Sequence, residues 1–371
     1  MKRSRRPGWL VAAMALAGLL LTGWQQNPVD ASTAEGADLA ASAHVAPTTA
    51  SPSIAGAPWT PPAFALTAPG SATGAGTGTM TADETGVAAE PEVSRSDATA
   101  VAGGEQRRHG VSLDGWARTW TTFEPATVAP LHPLVVVLHG RGGSGRTMEL
   151  LGLDTVAAAR GVEVAYPDAV DGSWNDGRSG VQSVAALEPV DDIRFLETVI
   201  ADAIARDGVD PARIAIVGHS NGALMASAFA CQRADLLRAI VLVSGAGADS
   251  LPATCQPSRP LSVLEVHGDR DRVVPFDGGA IAPADGQARG SAASVPAVLE
   301  IWRRRANCPA AVKEQPTGSP PSILEHASCP DGTEVALQLV VGGGHGWRLA
   351  PGFDTGTTVW GFLVKHGISR V

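Results

Sequence analysis

Six short runs rich in Val, Ile and Leu constrain the fold of this 371-residue chain more than any other feature. They are Pro133–His139, Val162–Pro167, Arg213–His219, Arg238–Gly245, Leu261–Gly268 and Val335–Gly342. Their apolar character is nearly continuous, as it is in strands that are covered on both faces of a sheet. Helix-like stretches lie between them, the clearest at Asp191–Gly208, where apolar residues recur along one helical stripe. This alternation predicts an α/β fold, with a mainly parallel sheet and helices on both of its faces.

The N-terminal segment has the pattern of an export signal. Residues 2–6 are basic and residues 8–23 are apolar, so we assign residues 1–29 to a secretory signal peptide. A membrane anchor is the alternative, but a span needs about 20 apolar residues and this run is shorter. Leu21–Gly23 resembles the start of a lipobox, yet Trp24 stands where lipid attachment requires Cys. We therefore expect a secreted, periplasmic or extracellular protein, without a lipid anchor or stable membrane insertion after processing.

Residues 30–104 are dominated by Ala, Thr, Pro, Gly and Ser and show no sustained strand or helix period. Such a segment cannot bury enough apolar surface to offset its ordering entropy, which predicts a disordered tether. A structured accessory module is the alternative. The composition changes near Glu105, and residues 105–371 are predicted to form one catalytic domain. The net charge of −9, with no Lys/Arg-rich run after residue 6, argues against nucleic-acid binding.

The segment Gly218–Gly222 matches the G-x-S-x-G pattern that surrounds a nucleophilic serine. The pattern alone is weak in a chain with 43 glycines. Its setting is more specific, because it follows a predicted strand that ends at Val217 and precedes an Ala-rich helix. The two glycines leave room for a tight turn around Ser220. Ser220 is therefore the candidate nucleophile, and an ordinary helix-capping serine is the alternative.

A serine hydroxyl needs an adjacent base, which is itself held by a carboxylate. In the chain order serine, acid, histidine, we assign the base to His345, which directly follows the last apolar run. A surface histidine is the alternative interpretation. Four other histidines fit less well, because two precede the core, one lies between two cysteines and one is near the C-terminus: His109, His132, His326 and His366.

The acid should follow a strand that lies between the serine and the histidine in the chain. The loop after the fifth apolar run offers Asp269, Asp271 and Asp277. We favour Asp271, because the Val-Val-Pro segment that follows it is typical of a buried anchor. We expect Asp269 to be a charged loop partner of Arg270 or Arg272.

Acyl transfer also requires N–H donors aimed at the oxygen that gains negative charge. One predicted donor is the backbone N–H of Asn221, the residue after the serine. The other should come from the glycine-rich loop after the first core strand, where we assign it to Arg141, with Gly142 as the alternative. A phosphate-binding P-loop is excluded there, because no Gly-Lys-Ser/Thr sequence follows.

Six sequence blocks occur in the order LHGRGGSG, AYPDAVDGSWNDGR, DDIRFLETVI, GHSNGALMA, HGDRDRVVPFDGG and GGGHGW. Together they resemble the secreted polyhydroxybutyrate depolymerase/feruloyl esterase family, which is related to carbohydrate esterase family 1. The match spans residues 111–371. The resemblance implies an α/β-hydrolase fold with Ser220, Asp271 and His345 as the catalytic triad. It also implies carboxylic esters as substrates, such as feruloyl or acetyl esters of plant polysaccharides or short hydroxyalkanoate chains.

Two departures from that family bear on the substrate. Related bacterial members often carry a lipobox Cys, which Trp24 replaces, and no polymer-binding module is recognisable in the long tether. Because breakdown of insoluble polyesters usually relies on such a module, a soluble or polysaccharide ester is favoured.

Trp174 and Trp347 are candidates for walls of the substrate pocket, and packing at the sheet edge is the alternative for both. Asp191 and Asp192 are interpreted as structural carboxylates at a helix start.

Four cysteines allow three disulfide connectivities, and none of them forms a CxxC pair typical of a zinc ribbon. The resemblance supports pairing of sequential neighbours, Cys231–Cys255 and Cys308–Cys329. Each pair would close a loop of about 20–25 residues, worth roughly 3 kcal/mol in the chain-entropy model. Disulfides also agree with export.

The sequence thus predicts a secreted serine esterase whose partner is an ester substrate and which needs no metal or organic cofactor. A serine peptidase of the same fold is one alternative. A non-catalytic cell-envelope binding protein on a hydrolase scaffold is another. Such a protein would typically have lost a triad member, and here none is missing.

Overall fold

The computed structural model describes residues 91–282 and 287–369. The predicted signal peptide, Trp24 and the predicted tether as far as residue 90 lie outside the described residues. The strands are β1 Ser94–Arg95, β2 Thr99–Val101, β3 Gly104–Leu113, β4 Trp116–Pro125, β5 His132–Leu138, β6 Glu163–Pro167, β7 Val209–His219, β8 Ala239–Val243, β9 Ser262–Gly268, β10 Gly279–Ala280, β11 Ser291–Ala292, β12 Val312–Lys313, β13 Ser322–Ser328 and β14 Glu334–Val340. The helices are α1 Gly145–Glu149, α2 Leu153–Arg160, α3 Val184–Leu187, α4 Asp192–Asp207, α5 Asn221–Arg233, α6 Leu251–Thr254, α7 Val295–Arg305 and α8 Thr355–Lys365, with 3₁₀ turns at Val170–Gly172 and Ala234–Leu236.

Within these residues one twelve-stranded mixed sheet runs in the order β1-β3-β4-β6-β5-β7-β8-β9-β14-β13-β12, and β2 pairs with β3. The central six strands, from β6 to β14, are parallel to one another. They correspond to the six apolar runs, so the predicted α/β fold with a mainly parallel sheet is confirmed. Both edges are antiparallel.

The antiparallel edge strands were not predicted, because their sequences lack a continuous apolar run. β3 reads GEQRRHGVSL, and an edge strand with one face in solvent needs few apolar side chains. The sheet also starts earlier than the predicted domain boundary at Glu105. β1 and β2 pair with β3, and Val93 is buried, so residues 93–104 are part of the sheet rather than of a tether. Composition misses this pairing because it is made by main-chain groups.

Alternate residues of each parallel strand enter two separate cores, as the two-residue period of a strand requires. In β5, Leu134 and Val136 pack into the core under α4, α5 and α7. Val135 and Val137 pack into the opposite core, under α1, α2 and α8. The parallel strands are therefore mainly apolar on both faces, which explains the nearly continuous runs in the sequence. None of the helices in the described residues combines the length and apolar character needed to cross a membrane.

Two disulfides join helices to neighbouring loops, in the pairing that the resemblance implied. Cys231 in α5 is bonded to Cys255, which follows α6. Cys308, after α7, is bonded to Cys329 at the end of β13. The second bond ties the C-terminal end of α7 to the polar edge of the sheet.

Glu334 at the start of β14 is bonded to two residues at the C-terminal end of helix α8. Its carboxylate accepts hydrogen bonds from Lys365 Nζ and His366 Nε2, both at 2.8 Å. The bond from His366 lowers the pKa of Glu334 to about 2, although burial opposes the shift and Lys365 adds to it. The pKa of Glu334 is lower in the folded state than in the unfolded state. The ionised carboxylate therefore stabilises the fold fully at pH values above the ordinary pKa of a glutamate, and this stabilisation is lost as the pH falls toward 2.

We expect Glu334→Gln to lower the free energy of unfolding by roughly 2–3 kcal/mol at pH 7 and by about half as much or less at pH 3. Urea denaturation at the two pH values measures both effects. The control is Glu300→Gln, which removes an exposed ion pair with Arg304 and should cost about 0.5 kcal/mol or less. An equal loss at both pH values would contradict the assigned shift.

Candidate active site

Ser220 lies in the sharp turn between β7 and α5. Its φ of +54° lies in the left-handed region that side chains rarely adopt. The backbone N–H of Ser220 donates to the carbonyl of Val243 at 2.8 Å, which fixes the turn to the end of β8. A Cβ on Gly218 would overlap the carbonyl of Gly222, and a Cβ on Gly222 would overlap that of Leu138. Both positions therefore require glycine, because any side chain there would overlap neighbouring backbone. The turn places the serine hydroxyl at the carboxyl edge of the sheet.

A continuous chain of hydrogen bonds joins the three predicted triad residues. The Oγ of Ser220 lies 3.0 Å from Nε2 of His345. The Nδ1 of the same imidazole lies 2.8 Å from Oδ2 of Asp271. With Nδ1–H donating to the carboxylate, Nε2 is free to accept the serine proton, which is the arrangement that a general base needs.

Asp271 is held by the backbone of its own loop. Its Oδ1 accepts the N–H groups of Val273 and Val274 at 2.8 and 2.9 Å. Burial alone would raise the pKa of Asp271, but the hydrogen bond and charge of His345, together with the two backbone donors, leave that pKa below its usual range. The group therefore remains a carboxylate at neutral pH, fixed to face the imidazole.

Asp269 has a different role from the one expected. Its Oδ1 accepts the backbone N–H of Gly342 at 2.6 Å, in the loop that leads to His345, rather than pairing with a neighbouring arginine. The N–H of Arg270 donates to the carbonyl of Gly343 at 2.9 Å. The loop that carries the acid and the loop that carries the base are thus bonded to each other. Asp277, the third candidate acid, is exposed.

The rival histidines have structural partners away from the serine. His109 bonds to Thr122 in the β3–β4 hairpin, and His132 bonds to Glu163 at the amino-terminal ends of their strands. His326 and His366 both face Glu334 at the start of β14.

Two backbone N–H groups next to Ser220 are candidates for binding the oxyanion. Within the described residues, the N–H groups of Arg141 and Asn221 have no protein acceptor. The N–H of Gly142 donates to the carbonyl of Gly172 at 2.7 Å, which favours Arg141 over Gly142. A Cβ on Gly140 would lie 3.2 Å from Cβ of Ser220, so the loop packs directly against the nucleophile.

The side chain of Asn221 belongs to a buried network that the sequence did not reveal. Its Oδ1 accepts the N–H of Trp174 at 2.8 Å, and its Nδ2 donates to Asp176 Oδ2 at 2.6 Å. The indole N–H of Trp174 donates to the carbonyl of His139 at 2.9 Å. Trp174 is 1% exposed, so the structure favours the packing role for this residue rather than a pocket wall. The sequence block SWNDGR drew attention to the loop that contains Trp174. It did not indicate that this loop is hydrogen-bonded to the glycine-rich loop after β5.

Asp192 also holds the loop that contains Trp174. Its carboxylate bonds to the guanidinium of Arg118 at 2.6 Å and accepts the N–H of Asn175 at 2.7 Å. Asp191 caps helix α4 by accepting the N–H of Arg194. The structural interpretation of this acidic pair therefore agrees with these contacts, and Arg118 is a partner that the sequence pattern did not indicate.

Trp347 follows His345 by two residues and is partly exposed. Its ring meets His219 edge to face, with 6.4 Å between centroids. It lines a cleft of about 550 Å³ together with Leu151, Arg348, Pro351 and Phe353. Burial, with the nearby charge of His345, lowers the pKa of His219 to about 4, so this imidazole is neutral at physiological pH. No residue of the triad lines this cleft, so the role of Trp347 as a pocket wall stays a prediction.

The described residues contain no cluster of three or more His, Cys, Asp or Glu arranged to hold a metal ion. The central parallel sheet, the strained serine turn and the three hydrogen-bonded side chains at its carboxyl edge define an α/β-hydrolase fold. A protein-family model described as Phospholipase/Carboxylesterase matches residues 190–284, a range that contains both Ser220 and Asp271.

Sequence relatives of this chain are named as esterases. A putative esterase, NocK, of Nocardia uniformis subsp. tsuyamanensis is 32% identical over 234 residues, which cover 58% of this chain and 65% of the relative. Feruloyl esterase B of Piromyces equi is 28% identical, over 60% of this chain and 42% of the relative. Feruloyl esterase C of Emericella nidulans is 29% identical, over 40% of this chain and 52% of the relative. The chain thus spans less than two thirds of each of these relatives, and its resemblance to feruloyl esterases is confirmed.

Two solved structures are similar to the chain. An acetyl xylan esterase from Aspergillus awamori has a TM-score of 0.45 at 16% identity, covering 66% of this chain and 94% of that protein. A cold-adapted esterase from an Arctic intertidal metagenomic library has a TM-score of 0.49 at 13% identity, covering 74% and 97%.

Proposed function

We propose that this protein is a serine esterase that hydrolyses carboxylic esters through Ser220, His345 and Asp271. The observation that carries the proposal is the hydrogen-bonded chain of these three side chains, 3.0 and 2.8 Å at its two links. It lies beside two backbone N–H groups that have no acceptor among the described residues. The names of the sequence relatives support ester hydrolysis as the reaction.

In the first half-reaction, Oγ of Ser220 attacks the ester carbonyl while Nε2 of His345 takes its proton. The Asp271 carboxylate holds Nδ1–H and stabilises the imidazolium that forms. The carbonyl oxygen becomes negative as the carbon turns tetrahedral, and the N–H groups of Arg141 and Asn221 bind it. The C–O bond to the alcohol then breaks, and His345 gives its proton to the departing alcohol.

In the second half-reaction, a water molecule loses its proton to Nε2 of His345 and attacks the acyl-enzyme carbonyl. The same two N–H groups stabilise the second oxyanion. Collapse of this intermediate breaks the bond to Oγ, returns the proton to Ser220 and releases the acid. Every proton transfer uses His345, so the reaction needs no metal or organic cofactor.

For the substrate, we propose feruloyl or acetyl esters of polysaccharide, with short hydroxyalkanoate esters as the alternative acyl class. The names of two relatives support a feruloyl ester as the substrate. Trp347, two residues after His345, stays our candidate for a contact with a planar acyl group.

We also propose that the protein is exported, with a signal in residues 1–29, a tether up to about residue 92 and a single catalytic domain after it. The two disulfides support an oxidising compartment, since such bonds are rare in cytosolic proteins.

A fluorophosphonate probe followed by a substrate panel tests the proposal. We expect one adduct, on the peptide that contains Ser220, because the probe requires an activated serine. We expect turnover of methyl ferulate or acetylated xylan and none of a dipeptide amide. Labelling without hydrolysis of any ester would reject esterase activity, and cleavage of the amide instead would identify a peptidase.

A further inference from the structure

A buried acid–histidine pair that the mechanism does not use lies directly behind Asp271. Glu265 and His267 are two residues apart on β9, and both side chains are fully buried. Oε1 of Glu265 lies 2.7 Å from Nδ1 of His267. Burial of a carboxylate inside a sheet is costly unless it is paired, and apolar residues would fill the same space at no such cost. The pair is therefore an unusual feature of an otherwise apolar strand.

His267 is bonded to the loop that shapes the acid. Its Nε2 donates to the carbonyl of Val274 at 3.0 Å. The N–H of the same residue, Val274, donates to Oδ1 of Asp271. Nε2 of His267 also lies 3.6 Å from Oδ2 of Asp271, the oxygen that accepts the hydrogen bond from His345. The imidazole thus contacts both the residue whose N–H orients the acid and the carboxylate itself.

We propose that the Glu265–His267 pair positions Asp271 for its bond to His345, by fixing the carbonyl of Val274 and by placing an imidazole that shares a proton with Glu265 against the carboxylate. The proposal rests on the proposed function, since it assigns the pair to the same serine-esterase site. Both members are positioning residues, because neither touches the reacting atoms.

The hydrogen atoms that these bonds require on His267 support this role. Nε2 of His267 must carry a hydrogen to donate to Val274, so a second proton is shared between Nδ1 and Glu265. Burial raises the pKa of Glu265. Burial would lower the pKa of His267, but the hydrogen bond and charge of Glu265, helped by Asp271, raise it instead. Both shifts keep the shared proton within the pair, and the ring is positive to the extent that Nδ1 carries it.

The surroundings of the pair leave Asp271 as its main electrostatic partner. In the sheet, Leu242 and Leu337 flank Glu265, and Leu339 flanks His267. The ring of Phe276 meets His267 at its edge, 5.8 Å between centroids. The other titratable groups in the vicinity, His345 and His219, lie beyond Asp271. Apart from Glu265 within the pair, Asp271 is therefore the acidic group that faces the ring.

Three variants separate the two parts of the proposal. His267→Phe removes the bond to Val274 and the charge, and we expect kcat to fall about 10-fold or more with KM nearly unchanged. His267→Gln keeps an N–H that can reach the carbonyl of Val274 and should recover part of that loss. In Glu265→Gln the amide can donate to Nδ1 while Nε2 still donates, so the shared proton is lost and the bonds remain. We expect the acidic limb of its kcat/KM profile to move to higher pH by about half a unit, because a positive charge beside the acid has gone.

The chain contains a matched control. His132 and Glu163 form an equally buried pair, 2.9 Å apart, at the amino-terminal ends of their strands. His132→Phe and Glu163→Gln should lower stability while kcat per folded molecule and the pH profile stay as in the wild type. If the Glu265 and His267 variants behave like these controls, the pair is merely structural and the proposal is overturned.

A substrate-independent measurement keeps the inference separate from the proposed function. The proton between Asp271 and His345 should give a far-downfield proton NMR resonance in the wild type. We expect it to be lost or shifted in His267→Phe, shifted in Glu265→Gln, and unchanged in the two controls. Absence of esterase activity in the wild type would reject the proposed function alone, and an unshifted resonance in both His267→Phe and Glu265→Gln would reject the positioning role.

Discussion

Ser220→Ala is expected to reduce kcat/KM for p-nitrophenyl acetate by about 10⁴-fold or more, because the only atom that can form the acyl-enzyme is removed. The residual rate reflects binding and the backbone N–H groups alone. The fold should persist. Alanine keeps the turn, and the lost Oγ bond to His345 is worth about 1 kcal/mol. Initial rates, together with thermal unfolding followed by circular dichroism, measure the two effects.

The matched control for that variant is Ser227→Ala. Ser227 lies in the same helix, α5, and its buried hydroxyl has no hydrogen-bond partner among the described residues. Its removal should leave the rate close to that of the wild type. Substantial turnover by Ser220→Ala, or an equal loss in Ser227→Ala, would show that the hydrolysis does not depend on the proposed nucleophile.

Asp271→Asn is expected to lower kcat by about 10⁴-fold near neutral pH by fixing the wrong tautomer of the base. Oδ1 accepts two backbone N–H groups, so an asparagine would place its oxygen there and turn its NH₂ toward His345. Nδ1 must then accept, and the hydrogen moves to Nε2, which can no longer take the serine proton. Rates on p-nitrophenyl acetate across pH 6–9 measure the effect.

Asp277→Asn is the control for the acid, because it makes the same chemical change at an exposed position of the same loop. We expect its kcat to remain within about twofold of the wild type. Comparable losses in the two variants would mean that loop charge, rather than the bond to the imidazole, determines the rate.

The parallel part of the fold was predictable because burial on both faces leaves a mark in the sequence. The residues of β5 enter two cores, so every one of its central positions is apolar. The edge strands leave no such mark. β3 carries Glu105 and Arg107, and main-chain bonds to β4 hold it in the sheet. Periodicity and composition therefore found the centre of the sheet and missed its antiparallel margins.

The reacting groups could be predicted for a different reason. Ser220 and the glycines around it satisfy a steric requirement of the turn that appears directly in the sequence. The supporting groups satisfy requirements set by distant segments. The bond from Trp174 to the carbonyl of His139 joins residues 35 apart, and that from Arg118 to Asp192 joins residues 74 apart. No local pattern carries that information, so Trp174 could not be assigned from the sequence.

The bonds between the acid loop and the base loop have a consequence for how this active site could be rebuilt. Asp269 and Arg270 are bonded to the backbone at Gly342 and Gly343. The acid and the base therefore lie on two loops that are bonded to each other, while the serine lies on a separate turn. An engineer who exchanges the segment around His345 to admit a new acyl group must transplant the turn after β9 with it. If only one of the two loops were transferred, the hydrogen bond between the acid and the base would be misaligned. The two loops should therefore be transferred together, as one unit.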